Sequence, residues 1–459
     1  MREEELYGIL YTINRSKKLC DQKIGVPFHD IYINETDFAG KVMPIQTQDG
    51  TVYGLTIGNL DTLFEKVCDL KIKHKRTAMI NEILSRELKK ILNQCMCTTE
   101  GNLPVISPDI IHGLVRKTMH FIEVRENNEK QYQNAATVAY HRTEERTVRS
   151  DDGFEVKYKV FGQDKIQTMV LINAYGIQSE IWKNMIYYYS GKYRVVVWET
   201  RGTMPEHTNV NMQPIMFSLD LESILRKEQI KKAILVCWCS GLKILAEFYK
   251  RNPCVASSIV IIAGYFNPFP ETESYWSDFD NTIGKLSQMI VKDRSLSKNP
   301  LILGLIQKLF RLDIGEKRLE SLLSAEASEY ERYDIQNTLV RNAALDVKQF
   351  ITLPFNHSQT LQNYAEITIE LQKHEILSML SEIAVPTLII NAGKDMVTDI
   401  HCARMGRAYI HNSQMVELPN ATHWCIWENY EEIISEIERF MAEAAKKNSI
   451  SGKAENNEG

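Results

Sequence analysis

Residues 235–246 combine an apolar run, a cluster of small residues and an amphipathic continuation, the pattern of a buried strand that turns sharply into a helix. Such a turn exposes its central residue as a nucleophile, and it closes only when the residues two before and two after are small, because strand and helix pack closely there. Around Cys239 those neighbours are Cys237 and Gly241, both small; around Ser240 they are Trp238 and Leu242, which hold the turn open. The steric rule therefore selects Cys239, with Cys237 standing where glycine is usual. A cysteine at a strand end also serves as a packed small hydrophobe, and it is the strand, turn and helix together that argue for a nucleophile. The thiolate is the reactive form, favoured by a neighbouring imidazolium and by a helix N-terminus. Attack on an acyl group gives a thioester, which still reacts readily with amines, thiols and carbanions, so cysteine favours acyl transfer over plain hydrolysis. Trp238, next to the nucleophile, is expected at the floor of the site as a substrate contact.

The elements that must hold this turn are visible in the same texture. After residue 153, strand-like apolar runs at 168–173, 193–199, 233–239, 257–264, 386–391 and 414–418 alternate with helical stretches at 216–226, 242–251, 400–408 and 430–444. Buried β-branched runs separated by amphipathic helices imply an α/β fold, a parallel sheet covered on both faces. Between 267 and 373 only helical patterns occur, which reads as an insertion. Residues 1–149 form a separate, mainly helical N-terminal region, with Leu60, Leu63, Phe64 and Val67 at three- and four-residue steps and strand-like stretches near 41–56 and 137–148. Asp151, Asp152 and Gly153 read as a turn before a strand. Residues 446–459 carry too little apolar surface to order and are expected to be a disordered tail.

Composition bounds the rest. The chain has 459 residues, 44% hydrophobic and 25% charged, with 54 basic and 59 acidic side chains and a formal charge of -5. That is an ordinary globular composition without general attraction for nucleic acid, and no apolar run is long enough to span a membrane. The first residues lack the pattern of a signal peptide, so the expected location is cytoplasmic. Nine cysteines, an odd number, read as thiols rather than a disulfide framework. The pairs Cys95/Cys97 and Cys237/Cys239 lack a second pair or a His cluster at zinc spacing, so no metal and no cofactor is expected.

With these residues in place, the chain resembles the α/β-hydrolase superfamily over residues 151–444, through the order and spacing of several motifs. That family runs nucleophile, acid, histidine along the chain. The resemblance implies that Asp395, in the turn after the strand at 386–391, is the acid, and that His423, in the loop after the last strand, is the base. Each has another reading alone: Asp395 as a helix cap, with Asp399 suiting that role better, and His423 as a surface or capping residue. The segment Asn173, Ala174, Tyr175 and Gly176 corresponds to the loop that normally reads His-Gly. The implied oxyanion hole uses the backbone N–H groups of Ser240 and Tyr175. The segment Trp198 to Gly202 is similar to a family turn that often reads Asp-x-Arg-Gly, a structural marker.

The insertion at 267–373 sits where the family places its helical cap, the roof of the acyl pocket. Tyr265, Phe266, Phe269, Tyr275, Trp276 and Phe279 cluster at its start; Phe266 and Trp276, with Trp238, are the candidate substrate contacts, although ordinary packing of cap on core is the commoner role for any one of the aromatics in this cluster. The expected function is acyl transfer through an S-acyl enzyme on Cys239, as an acyltransferase or thioesterase. Its partner is a small-molecule acyl substrate, free or carried on CoA or a carrier protein; the basic run at 71–76 could meet such a carrier or be a solvated face. A homo-oligomer is left open. The alternatives are an ester, lactone or amide hydrolase with the same nucleophile, and a non-catalytic binding protein of this fold.

Overall fold

A computed structural model describes residues 42–46, 52–56, 124, 127–269, 276–302, 306, 347–393, 395, 397, 398, 400–419 and 421–455. Two units are distinguished. The unit carrying the sheet comprises 132–315 and 340–459. Of the other, the fully described element is an antiparallel hairpin, Val42–Gln46 with Val52–Thr56, which falls in the stretch expected to be strand-like. The helices expected at 60–91 and the basic run at 71–76 lie outside the described residues.

The fold is that of an α/β hydrolase. Eight strands make one sheet: β1 Glu145–Arg149, β2 Glu155–Phe161, β3 Thr168–Ile172, β4 Arg194–Trp198, β5 Ala233–Trp238, β6 Ala256–Ile262, β7 Thr387–Ala392 and β8 Ser413–Leu418. Their spatial order is β8-β7-β6-β5-β3-β4-β2-β1. The six strands β3 to β8 run parallel, and β2 pairs antiparallel with both β4 and the edge strand β1, so that β2 alone runs against the rest. Every residue of β3 and β5 is buried, which is why these strands read as continuous apolar runs. In β1 exposed and half-buried residues alternate, as on an edge strand with one wet face.

The sheet begins before the boundary expected at residue 150. Gly153, at φ 85°, closes the turn between β1 and β2, where Ser150 N–H donates to Phe154 O at 2.8 Å. A helix over 127–142, α1, precedes it, so residues 137–142 are helical rather than strand-like. Tyr132, Ala136 and Tyr140 recur every four residues on its packed face. Helices α2 Lys183–Tyr189, α3 Pro214–Lys227 and α4 Gly241–Arg251 make the crossovers between successive strands. The cap is built of α5 Asp278–Lys292, α6 Lys348–Asn356 and α7 Ser358–Lys373. These pack through Ile283, Leu286, Ile290, Phe355, Leu361 and Ala365. Helices α8 Leu377–Ser381, α9 Ile400–Tyr409 and α10 Cys425–Glu428 lead to α11, Tyr430–Glu455. The last helix thus continues into the tail expected to be disordered; once nucleated, a helix gains one hydrogen bond for each residue it fixes.

The strand β3 lies between β4 and β5, so the chain changes direction across the sheet there and opens a crevice at the carboxyl ends of β3 and β5. The turn after β4 is anchored by Arg201. Its guanidinium is fully buried and makes paired bonds to Asp220 on α3, at 2.7 and 2.6 Å, and to Asp152, at 2.5 and 2.9 Å. Among the described residues no helix is long and apolar enough to cross a membrane.

Candidate active site

The turn after β5 places Cys239 at φ 51°, a left-handed conformation that a side chain adopts only when its surroundings hold it there. Those surroundings are backbone bonds: Cys239 N–H donates to Ile262 O at 3.0 Å, and Cys239 O accepts from Leu242 and Tyr265 N–H, both at 3.1 Å. A Cβ at position 241 would lie 2.6 Å from Ile172 O and 2.9 Å from Asn173 O, so the start of α4 presses on the end of β3 and only glycine fits. Cys237 pairs in register with Ile172 and Ile261 and is wholly buried. Burial, and then the nearby Cys239, push its thiol well up, so it stays protonated.

His423 and Asp395 reach the same point from the loops after β8 and β7. His423 Nδ1 lies 2.8 Å from Asp395 Oδ2, and His423 and Cys239 line the same cavity. The carboxylate is held in place by four donors: Val397 and Thr398 N–H on Oδ1 at 2.8 and 2.9 Å, and Thr398 Oγ1–H and His423 on Oδ2, both at 2.8 Å. Asp395 therefore caps its own turn and orients the imidazole at once. Burial works against a charged His423, which is 3% exposed. The charges of Asp395 and Cys239 and the hydrogen bond to Asp395 outweigh it, pushing the imidazolium up to about 10. Trp238 Nε1–H donates to His423 O at 3.0 Å, and its ring lies 5.3 Å from the imidazole.

The loop after β3 is stapled by Asn173, which stands where the family has histidine. Its Nδ2–H donates to Ile177 O at 2.6 Å and its Oδ1 accepts from Trp182 Nε1–H at 3.0 Å. This brings Tyr175 N–H to the nucleophile turn, where it donates to Ser240 Oγ at 3.1 Å. The Ser240 side chain thus occupies the acceptor position of a backbone donor named as part of the oxyanion hole.

A cavity of about 80 Å³ joins these groups, with Cys239, Ser240, Tyr175, Trp238 and His423 in its wall. The roof comes from the cap, through Phe279, Ile283, Phe355 and Tyr364. Phe266 and Trp276, named as substrate contacts, do not line it. Phe266 is buried against Gly406 on α9, where a Cβ would come within 2.1 Å of its ring, and Trp276 packs at the edge of the main core. Tyr275 lies outside the described residues. Sequence reasoning missed Asp280, which is 3% exposed and lines the cavity. In sequence it looks like part of a helix cap, since Ser277 accepts from Asp280 N–H at 3.0 Å at the start of α5. Among the described residues no three His, Cys, Asp or Glu side chains are grouped to hold a metal ion.

A family model described as the alpha/beta hydrolase fold matches residues 167–430. No curated protein matches the sequence. Among solved structures, the chain is similar to a thermophilic esterase from Thermogutta terrifontis, at 12% identity and TM-score 0.49, with 66% of this chain and 99% of that one covered. It is similar to an esterase from Rhodococcus sp. ECU1013, at 14% identity and TM-score 0.48, covering 65% and 98%. It is also similar to an enol-lactonase from Burkholderia xenovorans LB400, at 14% identity and TM-score 0.48, covering 65% and 100%.

Proposed function

Because the chain belongs to the α/β-hydrolase family, matched over residues 167–430, we propose that it is an enzyme that transfers acyl groups through an S-acyl intermediate on Cys239. The observation that carries this reading is a cysteine held at φ 51° on a strand-to-helix turn, sharing one cavity with an imidazole whose Nδ1 is 2.8 Å from a fixed carboxylate. The raised His423 makes it an imidazolium near neutral pH, which stabilises a thiolate beside it, and the N-terminus of α4 adds to that.

In the first half-reaction the Cys239 sulfur attacks the carbonyl carbon of an acyl thioester or ester, and the carbonyl electron pair moves onto oxygen. The N–H groups of Ser240 and Tyr175 are the donors for that oxyanion. Collapse breaks the bond to the leaving thiol or alcohol, which takes the proton from His423. In the second, an acceptor gives a proton to His423 and attacks the thioester, and the Cys239 thiolate leaves. Asp395 holds the imidazole and its charge throughout. The acceptor is water or a small amine or thiol, and the donor is carried on pantetheine, as in CoA or a carrier protein.

The test offers acyl-CoA and acyl-pantetheine thioesters to the wild type and to Cys239→Ala, with intact mass and thiol release as readouts. An adduct on Cys239 and a loss of turnover of at least about a thousandfold in the variant are expected. No adduct with any donor, together with unchanged turnover in Cys239→Ala, overturns the reading.

A further inference from the structure

Asp280 is a buried acid that acyl transfer as described leaves without a task. It sits in the cap at the first turn of α5 and faces the cavity that holds Cys239. Its side-chain partners are Tyr265 and Ser277. Ser277 is a weak donor to it: the single hydroxyl proton goes to Val397 O at 2.9 Å, whereas Asp280 Oδ2 stands 3.3 Å away. Tyr265 starts from the nucleophile itself, with its N–H on Cys239 O at 3.1 Å.

The charges around the cavity are one-sided. His423 and Asp395 pair with one another, and no lysine or arginine is among the described residues that line the space. Lys243 on α4, whose ammonium feels the charge of Asp280, does not line the cavity. Its ammonium is turned onto the carbonyls of Asn267, at 2.6 Å, and His374, and lies 5.4 Å from the centre of the Tyr265 ring. Burial, opposed by hydrogen bonds from Tyr265 and Ser277 and helped by the charge of Asp395, pushes the Asp280 carboxyl up to about 7. A buried carboxylate with no lysine or arginine in the cavity wall is costly, and a ligand cation relieves it.

Resting on the acyl-transfer reading above, we infer that Asp280 and Tyr265 recognise an ammonium group on the acyl chain, so that the natural donors carry short aminoacyl groups. The size of the space, about 80 Å³, confines the chain to a few heavy atoms. The phenol of Tyr265 orients the carboxylate, and Asp280 accepts from the ammonium while the scissile carbonyl lies over Cys239.

The test uses the full-length protein at pH 6.5 and pairs of N-acetylcysteamine thioesters in which an amino group replaces a methyl of the same size: glycyl against propionyl, alanyl against isobutyryl, and β-alanyl against butyryl. The rate of Cys239 acylation is read by intact mass. The amino member of at least one pair should react about tenfold faster or more, and Asp280→Asn should bring that ratio close to unity. Equal or faster reaction of the methyl member in every pair overturns the inference, as does a preference that survives in Asp280→Asn. If Asp280→Asn does not fold, Tyr265→Phe, which should lower the same ratio, serves in its place. Calorimetry with β-alaninamide, alaninamide, butyramide and isobutyramide needs no acylation. If no thioester labels Cys239, acyl transfer falls, and these amides still decide recognition: tighter binding of the amino members, lost in Asp280→Asn, supports it, and no preference overturns it.

Discussion

The backbone N–H of Tyr175 is bonded to the side chain of Ser240 at 3.1 Å. In the proposed reaction the acyl oxygen takes that donor, and a developing oxyanion competes well for it because a charged acceptor makes the stronger bond. Ser240→Ala removes the competitor. The expected result is a KM lower by about threefold with kcat little changed, the worth of one neutral hydrogen bond. A tenfold fall in kcat would instead make the hydroxyl a donor to the oxyanion.

Buried Cys239 should outreact exposed Cys254 toward iodoacetamide at pH 6, although access favours the latter. His423 stays protonated up to about 10, so its charge supports the thiolate across neutral pH. Labelling is read by peptide mass, and the advantage of Cys239 should shrink above about 10, where His423 loses its charge. In Asp395→Asn the imidazolium loses its partner, and Cys239 should lose this advantage. Labelling of Cys239 that simply follows Cys254 would refute the ion pair.

Lys243 is fully buried, and burial, opposed by the charges of Glu375 and Asp280, lowers its ammonium from 10.5 to about 7. Below about 7 it is charged in both the folded and unfolded chain, and the fold bears the whole cost of burying it; between about 7 and 10.5 the folded form is neutral and that cost shrinks. Lys243→Met should therefore gain stability relative to the wild type most at low pH, the difference closing as pH rises toward 10.5. Urea unfolding at pH 6, 8 and 10 measures it, and a difference that grows with pH would contradict the assignment.

Asp220 holds the buried guanidinium of Arg201 through two bonds. Asp220→Ala leaves that charge half partnered and should cost about 3–5 kcal/mol in unfolding experiments, with loss of the turn after β4. A cost below about 1 kcal/mol would place the pair with ordinary surface bridges.

The alternation of strand and helix was legible because a strand buried on both faces is mostly apolar; β3, β5 and β7 are buried along their whole length, and β6 at all but Ser257. The edge strand β1 and the packed face of α1 were harder to read, since charged residues interrupt the pattern where one side meets water.

What the sequence determined by itself was the tight strand-to-helix turn centred on Cys239, and the reason is steric: Gly241 must be small because a Cβ there meets the carbonyls of Ile172 and Asn173, and that contact is written in the types of adjacent residues. Asp395 and His423 followed only from motif order. That Asp395 holds His423, that Ser240 takes the Tyr175 donor, that Phe266 turns to α9, and that Asp280 faces the nucleophile were decided by the tertiary structure. Each joins residues from separate loops or from the cap. Which side chains converge in a crevice depends on strand order and loop path, and no local spacing encodes that.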